Sequence, residues 1–310
     1  MEIDDPGKIN VIGLGQACFD CLGTVPQYPS EDSKTEINEL FFQTGGPVAA
    51  ALITLSQLGV PSSFMGSISD DFFGTEILNG LKRENIDTSH LKIVPGFSSQ
   101  FAFISLNGTH QTRNVFWRRS TAPFMSPQDI SLKPFKRAKI LHMDGLMIDA
   151  SMEAARQAKD LGIRIVIDAG TLRDGFLDLI PFADFLITSE KFVQSVVAEN
   201  TYDPRKGFDI LRKYTACDII ITRGNKGSIG LINDDIIIQK AYPVNAVNTN
   251  GAGDVYHGAY IFGIIKGWQG RECMRFASAA SAMKCEHIVF KKDLLSLKKI
   301  NIFMDKHNFS

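Results

Sequence analysis

The feature that most constrains this chain is a rhythm in which short, almost wholly apolar runs alternate with segments of helical period. Residues 8–14, 62–66, 139–143, 164–168, 185–188 and 218–222 are the apolar runs. A strand with one wet face would alternate apolar and polar side chains, so unbroken apolar runs predict strands covered on both faces. Between them, residues 47–58, 71–84, 150–161, 254–265 and 272–284 read as helices. Leu52, Leu55 and Leu58 fall on one helical face in the first, and Phe72, Ile77 and Leu81 turn inward in the second. Gly59 and Gly162 follow as stop signals. Strands joined by helices predict an α/β fold with a mostly parallel, doubly wound sheet flanked by helices. The chain has 310 residues, and we expect one domain over 1–310.

Two stretches fall outside the rhythm. Residues 34–43 have strand character with no crossover after them, and residues 99–119 read as a hairpin turning at Asn107-Gly108. These are expected to pair as a small sheet beside the main one. Hydrophobic residues make up 44% and charged residues 22%, and the formal net charge is -1. That balance suits a globular protein and supplies no global field to recruit nucleic acid or an anionic membrane. No apolar run approaches the roughly 20 residues needed to span a bilayer. The acidic first residues lack the basic and apolar regions of a signal peptide, so a cytoplasmic protein is expected. The five cysteines, Cys18, Cys21, Cys217, Cys273 and Cys285, are scattered and odd in number, which predicts reduced thiols. Cys18 and Cys21 form a C-x-x-C with no second Cys or His pair, and are expected as two thiols near the end of the first strand.

The segment richest in chemistry is Val247-Asn248-Thr249-Asn250-Gly251-Ala252-Gly253-Asp254, opening the helix at 254–265. Gly251, Ala252 and Gly253 carry almost no side chain, so their amides can approach a phosphate at a helix N-terminus. A carboxylate at Asp254 could take the proton of an attacking hydroxyl as a phosphoryl group arrives. The competing reading is a glycine-rich turn in which Asp254 only caps the helix. Gly13 and Gly15 lack a third glycine at dinucleotide-binding spacing, and no G-x-x-x-x-G-K-[ST] is present. His257, one turn after Asp254, is expected to be packed or solvated rather than to touch a substrate.

Asn248 to Asp254, followed by small residues, resembles the C-terminal signature of the ribokinase/PfkB carbohydrate kinases. Gly45-Gly46-Pro47, the small-residue helix ending at Leu58-Gly59, Phe64-Met65-Gly66, Asp70-Asp71 and Gly74 are similar in order and spacing to the N-terminal signature of that family. Gly15 to Asp20 and Ile221-Thr222-Arg223-Gly224 with Gly227 match two further elements. The resemblance runs from about residue 8 to 290. It implies a ribokinase-like fold with a small β-sheet lid built from 34–43 and 99–119. It implies an ATP-dependent kinase acting on a hydroxyl of a sugar or sugar acid, with Asp254 as general base and the amides of Gly251, Ala252 and Gly253 as the anion hole. Asp20, Gly45 and Gly46 would hold the acceptor, with Lys34, Arg118 and Arg119 as further contacts; an arginine in the lid suits an acidic sugar. Thr222, Gly224 and Gly227 would lie along the nucleotide. Mg²⁺ would be held by phosphates and water, with Glu190 touching it at most through water.

The sequence departs from the family pattern at several points. Asn248 stands where Asp is commoner, in a segment that in many members helps bind an activating monovalent cation, so the resemblance leaves cation dependence open. Ser189-Glu190-Lys191-Phe192 replaces the usual Asn-x-x-Glu. Pro47-Val48-Ala49-Ala50 lacks the Asn that usually follows the glycine pair. The Gly-Ala stretch that lies near adenine in relatives is missing around residues 286–290. The rival readings are a nucleoside kinase on the same fold and a catalytically silent sugar- or nucleotide-binding protein. Partners are expected to be small molecules, with neither nucleic acid nor membrane. Phe101, Phe103 and Trp117 could face a second copy, giving a homodimer through the lid.

Overall fold

A computed structural model describes residues 9–109, 112–198 and 203–307. Lys8, the first residue of the expected opening strand, and residues 110–111 in the expected hairpin lie outside them. The described strands are β1 (Val11–Leu14), β2 (Cys18–Val25), β3 (Glu39–Gly45), β4 (Ser62–Ser69), β5 (Leu91–Val94), β6 (Phe101–Asn107), β7 (Thr112–Arg118), β8 (Ile140–Met143), β9 (Arg164–Ala169), β10 (Phe185–Ser189), β11 (Asp218–Thr222), β12 (Ser228–Ile232) and β13 (Asp235–Gln239). The helices are α1 (Pro47–Gln57), α2 (Phe72–Arg83), α3 (Ile148–Asp160), α4 (Phe176–Leu179), α5 (Glu190–Val197), α6 (Pro204–Leu211), α7 (Ala252–Lys266), α8 (Gly270–Cys285) and α9 (Leu297–Lys306).

Nine strands form the main sheet in the order β13-β12-β11-β10-β9-β8-β1-β4-β5. It is parallel from β11 to β5, and β12 and β13 add antiparallel at one edge. The apolar runs become these parallel strands because helices cover both sheet faces. Val11, Ile140, Val166, Ile187 and Ile220 pack on one side with α1, α7 and α8. Ile12, Leu141, Ile165, Leu186 and Ile219 pack on the other with α3, α5 and α6. Strand order reverses beside β1, where β4 continues to one side and β8 begins the other. In open α/β sheets that switch point, at the carboxyl ends of the strands, is where a ligand crevice opens.

The smaller sheet runs β3-β2-β6-β7. Residues 39–45 and the hairpin arms join it, with Asn107 facing Thr112. Its central strand, β2, was not foreseen. Cys18 and Cys21 lie in β2 rather than at the end of β1, and an i, i+3 spacing in a strand sends them to opposite faces. Both are free thiols, as are the other three cysteines. Residues 34–38 precede the strand, so Lys34 is on an exposed loop. The register also separates side chains that the sequence grouped together. Trp117 stands across from Ala102, on the face of Asp20, whereas Phe101 and Phe103 face the other way. No described helix is long and apolar enough to cross a membrane.

Candidate active site

The carboxyl ends of β1, β8 and β9, the N-terminus of α7 and the inner face of β2 converge on one cluster of acids. Asp144 follows β8 and is buried. Its Oδ2 accepts the Gln16 N–H (2.8 Å) and its Oδ1 accepts the Leu146 N–H (2.9 Å), which fixes the turn between β1 and β2. Burial pushes the Asp144 carboxyl up to about 6. Asp20 points inward from β2 and is also buried. It rests on Gly45, where a Cβ would lie 2.2 Å from Asp20 Oδ2, so only glycine leaves the carboxylate its place. Gln43 Nε2 donates to the same oxygen at 3.5 Å, and Gln43 Oε1 accepts the Phe290 N–H. Burial raises Asp20 to about 6, and hydrogen bonds from Cys18 and Gln43 oppose the shift. Gly46, at φ 98, lets the chain turn from β3 into α1 against the Gln16 carbonyl.

Asp254 sits on the first turn of α7. That helix starts at Ala252 with Gly251 as its N-cap, at φ 76. Asp254 is therefore the third helical residue and not the cap, and its carboxylate makes no hydrogen bond with the described residues. The capping reading of Asp254 is thereby excluded. Burial pushes this carboxyl up to about 7; Asp168 and Asp20 reinforce the shift by repulsion, while His257 and Lys284 oppose it. The Ala252 N–H turns back to the Thr249 carbonyl (3.3 Å), whereas the N–H groups of Gly253 and Asp254 meet no upstream carbonyl among the described residues. A Cβ at Gly253 would meet nothing within 4 Å, so the space over this turn is open.

Several neighbours hold the turn in place, and the sequence had not singled most of them out. Ser281 Oγ donates to the Ala252 carbonyl (2.8 Å). His257 Nδ1 lies 2.7 Å from the Gly253 carbonyl, and Nε2 lies 3.3 Å from the Ile187 carbonyl and 3.4 Å from Asp168 Oδ1. His257 is thus a packed strut between α7 and the sheet, as expected. Lys284, buried at the end of α8, donates to the carbonyls of Asn248 (3.0 Å) and Asn250. From the smaller sheet, Arg113 Nη1 donates to Thr249 Oγ1. Arg113, Leu106, Thr112, Val247, Asn248 and Thr249 line a cleft of about 380 Å³.

The residues assigned to the nucleotide lie at the ends of β10 and β11. Thr222 Oγ1 donates to the Thr188 carbonyl (3.1 Å). A 3₁₀ turn at Gly224–Lys226 follows, closed by Gly227. Glu190 begins α5 and pairs with Lys226 at 3.6 Å, so it borders this turn. Arg223 Nε is buried there with no hydrogen-bond partner. The remaining acceptor contacts are dispersed. Arg118 stands across from Phe101, on the face away from Asp20, and Arg119 stacks over Trp117 at 5.2 Å. Arg113, in β7 of the smaller sheet, is the arginine that reaches the turn before α7.

Residues 8–289 match the family model described as pfkB family carbohydrate kinase. The chain belongs to that family. It is 24% identical, over 99% of its own length and 97% of the other's, to 5-dehydro-2-deoxygluconokinase of Geobacillus kaustophilus. Among solved structures it superposes on a putative ribokinase from Agrobacterium tumefaciens with TM-score 0.86, at 24% identity over 97% of this chain and 98% of that one. It also superposes on a putative ribokinase II in complex with ATP and Mg²⁺ from E. coli with TM-score 0.83, at 20% identity over 96% of this chain and 100% of that one. The fold is ribokinase-like, and the protein is a phosphotransferase of the PfkB kind.

Proposed function

We propose that this kinase transfers the γ-phosphoryl group of ATP to a hydroxyl of a sugar acid, with Asp254 as general base. The carrying observation is Asp254 itself: a carboxylate with no hydrogen bond among the described residues and a raised pKa, beside open backbone at the start of a 15-residue helix. The acceptor hydroxyl would attack the γ-phosphorus as its proton passes to Asp254. The bond from γ-phosphorus to the bridging oxygen breaks, and ADP leaves with that oxygen. The N–H groups of Gly253 and Asp254 are suited to the charge that develops on the phosphoryl oxygens, and the Ala252 N–H could join them only by leaving the Thr249 carbonyl.

Asp20, kept in place by Gly45 and Gln43, would accept hydrogen bonds from acceptor hydroxyls. Nucleotide at the Thr222–Gly227 turn is supported by the orphan Arg223 Nε, a buried donor in want of an acceptor; ATP as that nucleotide is supported by the E. coli structural relative, solved in complex with ATP and Mg²⁺. Mg²⁺ would neutralise charge on the phosphates. Among the described residues no cluster of three or more His, Cys, Asp or Glu side chains could hold a metal ion, and Glu190, near the nucleotide turn, is the carboxylate suited to contact it through water. The smaller sheet would act as a lid, excluding water as a competing acceptor.

The acidic substrate class is supported by the 5-dehydro-2-deoxygluconokinase relative and by Arg113 at the rim of the cleft. An ADP-release assay with neutral sugars, sugar acids and nucleosides tests the reading. The highest kcat/KM is expected for a sugar acid. Turnover confined to nucleosides would replace the substrate class, and ATP binding with no turnover on any acceptor would make the protein a silent binder.

A further inference from the structure

Lys284 is a buried cation near the end of α8, on a segment without other charged residues where Ala277, Ala280 and Ala282 are also buried. A buried ammonium is costly unless oxygens surround it. Its Nζ donates to the carbonyls of Asn248 and Asn250, the two residues flanking Thr249 just before the anion turn. Backbone carbonyls gathered beside an anion site are also what a small monovalent cation would use. Asn248 extends the pattern. Its Oδ1 accepts the Asn250 N–H (2.9 Å), so its Nδ2 is the end that donates to the Ile288 carbonyl (2.7 Å). An aspartate there could not make that donation. Three carbonyls around this loop are therefore each taken by an N–H of the protein, and the side chain at 248 is a neutral amide. A free potassium ion does not fit the loop as built.

We infer that the Lys284 ammonium is a covalently tethered replacement for a monovalent cation: it fixes the 248–251 loop that sets the anion turn, and the kinase works without potassium. Lys284 is a positioning residue, since it bonds the loop and not the reacting atoms. Charge supports the assignment. Burial lowers this ammonium to about 8, and the nearby Asp254 and Asp20 carboxylates oppose the shift, so it remains mostly protonated at neutral pH.

The inference rests on the phosphotransferase reading for one arm of its test only. In wild-type protein, chloride salts of potassium, sodium and choline are compared at equal ionic strength for melting temperature, ATP-induced thermal shift and turnover. All three are expected to be indifferent to the cation. A potassium-specific rise in melting temperature, ATP shift or kcat would overturn the inference. Lys284→Ala frees the carbonyls and leaves room for an ion. In choline it should melt lower and lose turnover on the order of 10²-fold through loop misplacement, and potassium, ammonium or methylammonium should restore part of both. No loss in choline, or a loss that no cation relieves, would count against it. If the variant does not fold, the wild-type comparison decides. Melting and ATP binding need no acceptor, so failure to find a phosphorylated product sinks the proposed function without touching this result.

Discussion

Gly45→Ala probes the acceptor side of the site with a perturbation whose size can be worked out. A Cβ at residue 45 would lie 2.2 Å from Asp20 Oδ2 and 2.7 Å from its Cγ, whereas ordinary contact begins at 3.4 Å. The carboxylate must therefore retreat by about 1 Å in a close-packed setting. A displacement of about 1 Å at a positioning group costs on the order of 10²-fold, or about 2.7 kcal/mol of transition-state stabilisation. The loss should fall on kcat/KM for the acceptor, with KM for ATP little changed, because the turn proposed for the nucleotide lies on other strands. The natural control is Gly46→Ala. Its added Cβ would meet the Gln16 backbone carbonyl at 2.7 Å, at φ 98, so the cost of about 1–3 kcal/mol should appear as lost stability. Steady-state kinetics and melting curves of the two variants separate these effects. Wild-type kcat/KM in Gly45→Ala would refute the placement of Asp20 against the acceptor.

The raised carboxyls predict two pH effects. Asp20, Asp144 and Asp254 have folded-state values of about 6, about 6 and about 7, above the ordinary 3.8. Their protonated forms thus favour the fold, and this contribution is full below the ordinary value and lost as pH rises through about 6 to about 7. The melting temperature of ligand-free protein should accordingly fall between about pH 5 and about pH 8, and a rise over that range would contradict the assignment. The acidic limb of kcat/KM should report Asp254 at its raised value, and Asp168→Asn, which removes a repelling charge, should move that limb to lower pH. Arg113→Gln should reduce kcat/KM for a sugar acid by roughly 1.5–3 kcal/mol more than for its neutral analogue, the worth of a charged hydrogen bond, while Arg118→Gln changes neither. Equal effects on both substrates would remove Arg113 from carboxylate recognition.

Where a rule of periodicity applied, the fold was legible. The apolar runs became parallel strands because both faces are covered, and the glycine-rich segment at 251–253 does fall at a helix start. β2 escaped because Cys18-Phe19-Asp20-Cys21 is a central strand with an acid at its midpoint, and no alternation survives when both faces are buried. The β12–β13 hairpin carried a readable signal in Asn233-Asp234, both at positive φ between apolar runs. The site residues divided along the same line. Asp20 and Asp254 lie within local motifs. Asp168, Lys284 and Arg113 come to the candidate site only because distant segments fold together, and nothing in their own neighbourhoods distinguishes them. The sequence pointed to Arg118 and Arg119 and passed over Arg113; the register of β6 with β7 turns Arg118 away from Asp20 and puts Arg113 on its face.

Asp254→Asn tests the central claim most directly. The substitution keeps side-chain volume, the helix cap is Gly251, and the anion hole is backbone, so fold and ATP binding should persist. Removing a carboxylate whose charged form is already disfavoured by burial should leave the melting temperature unchanged or slightly higher at neutral pH. What disappears is the acceptor of the substrate proton, and loss of a general base costs about 10²–10⁴-fold, or roughly 3–5 kcal/mol of barrier. The account predicts that loss in kcat on the best acceptor, with ATP affinity equal or tighter. Near-wild-type kcat in a folded, ATP-binding Asp254→Asn enzyme would contradict it.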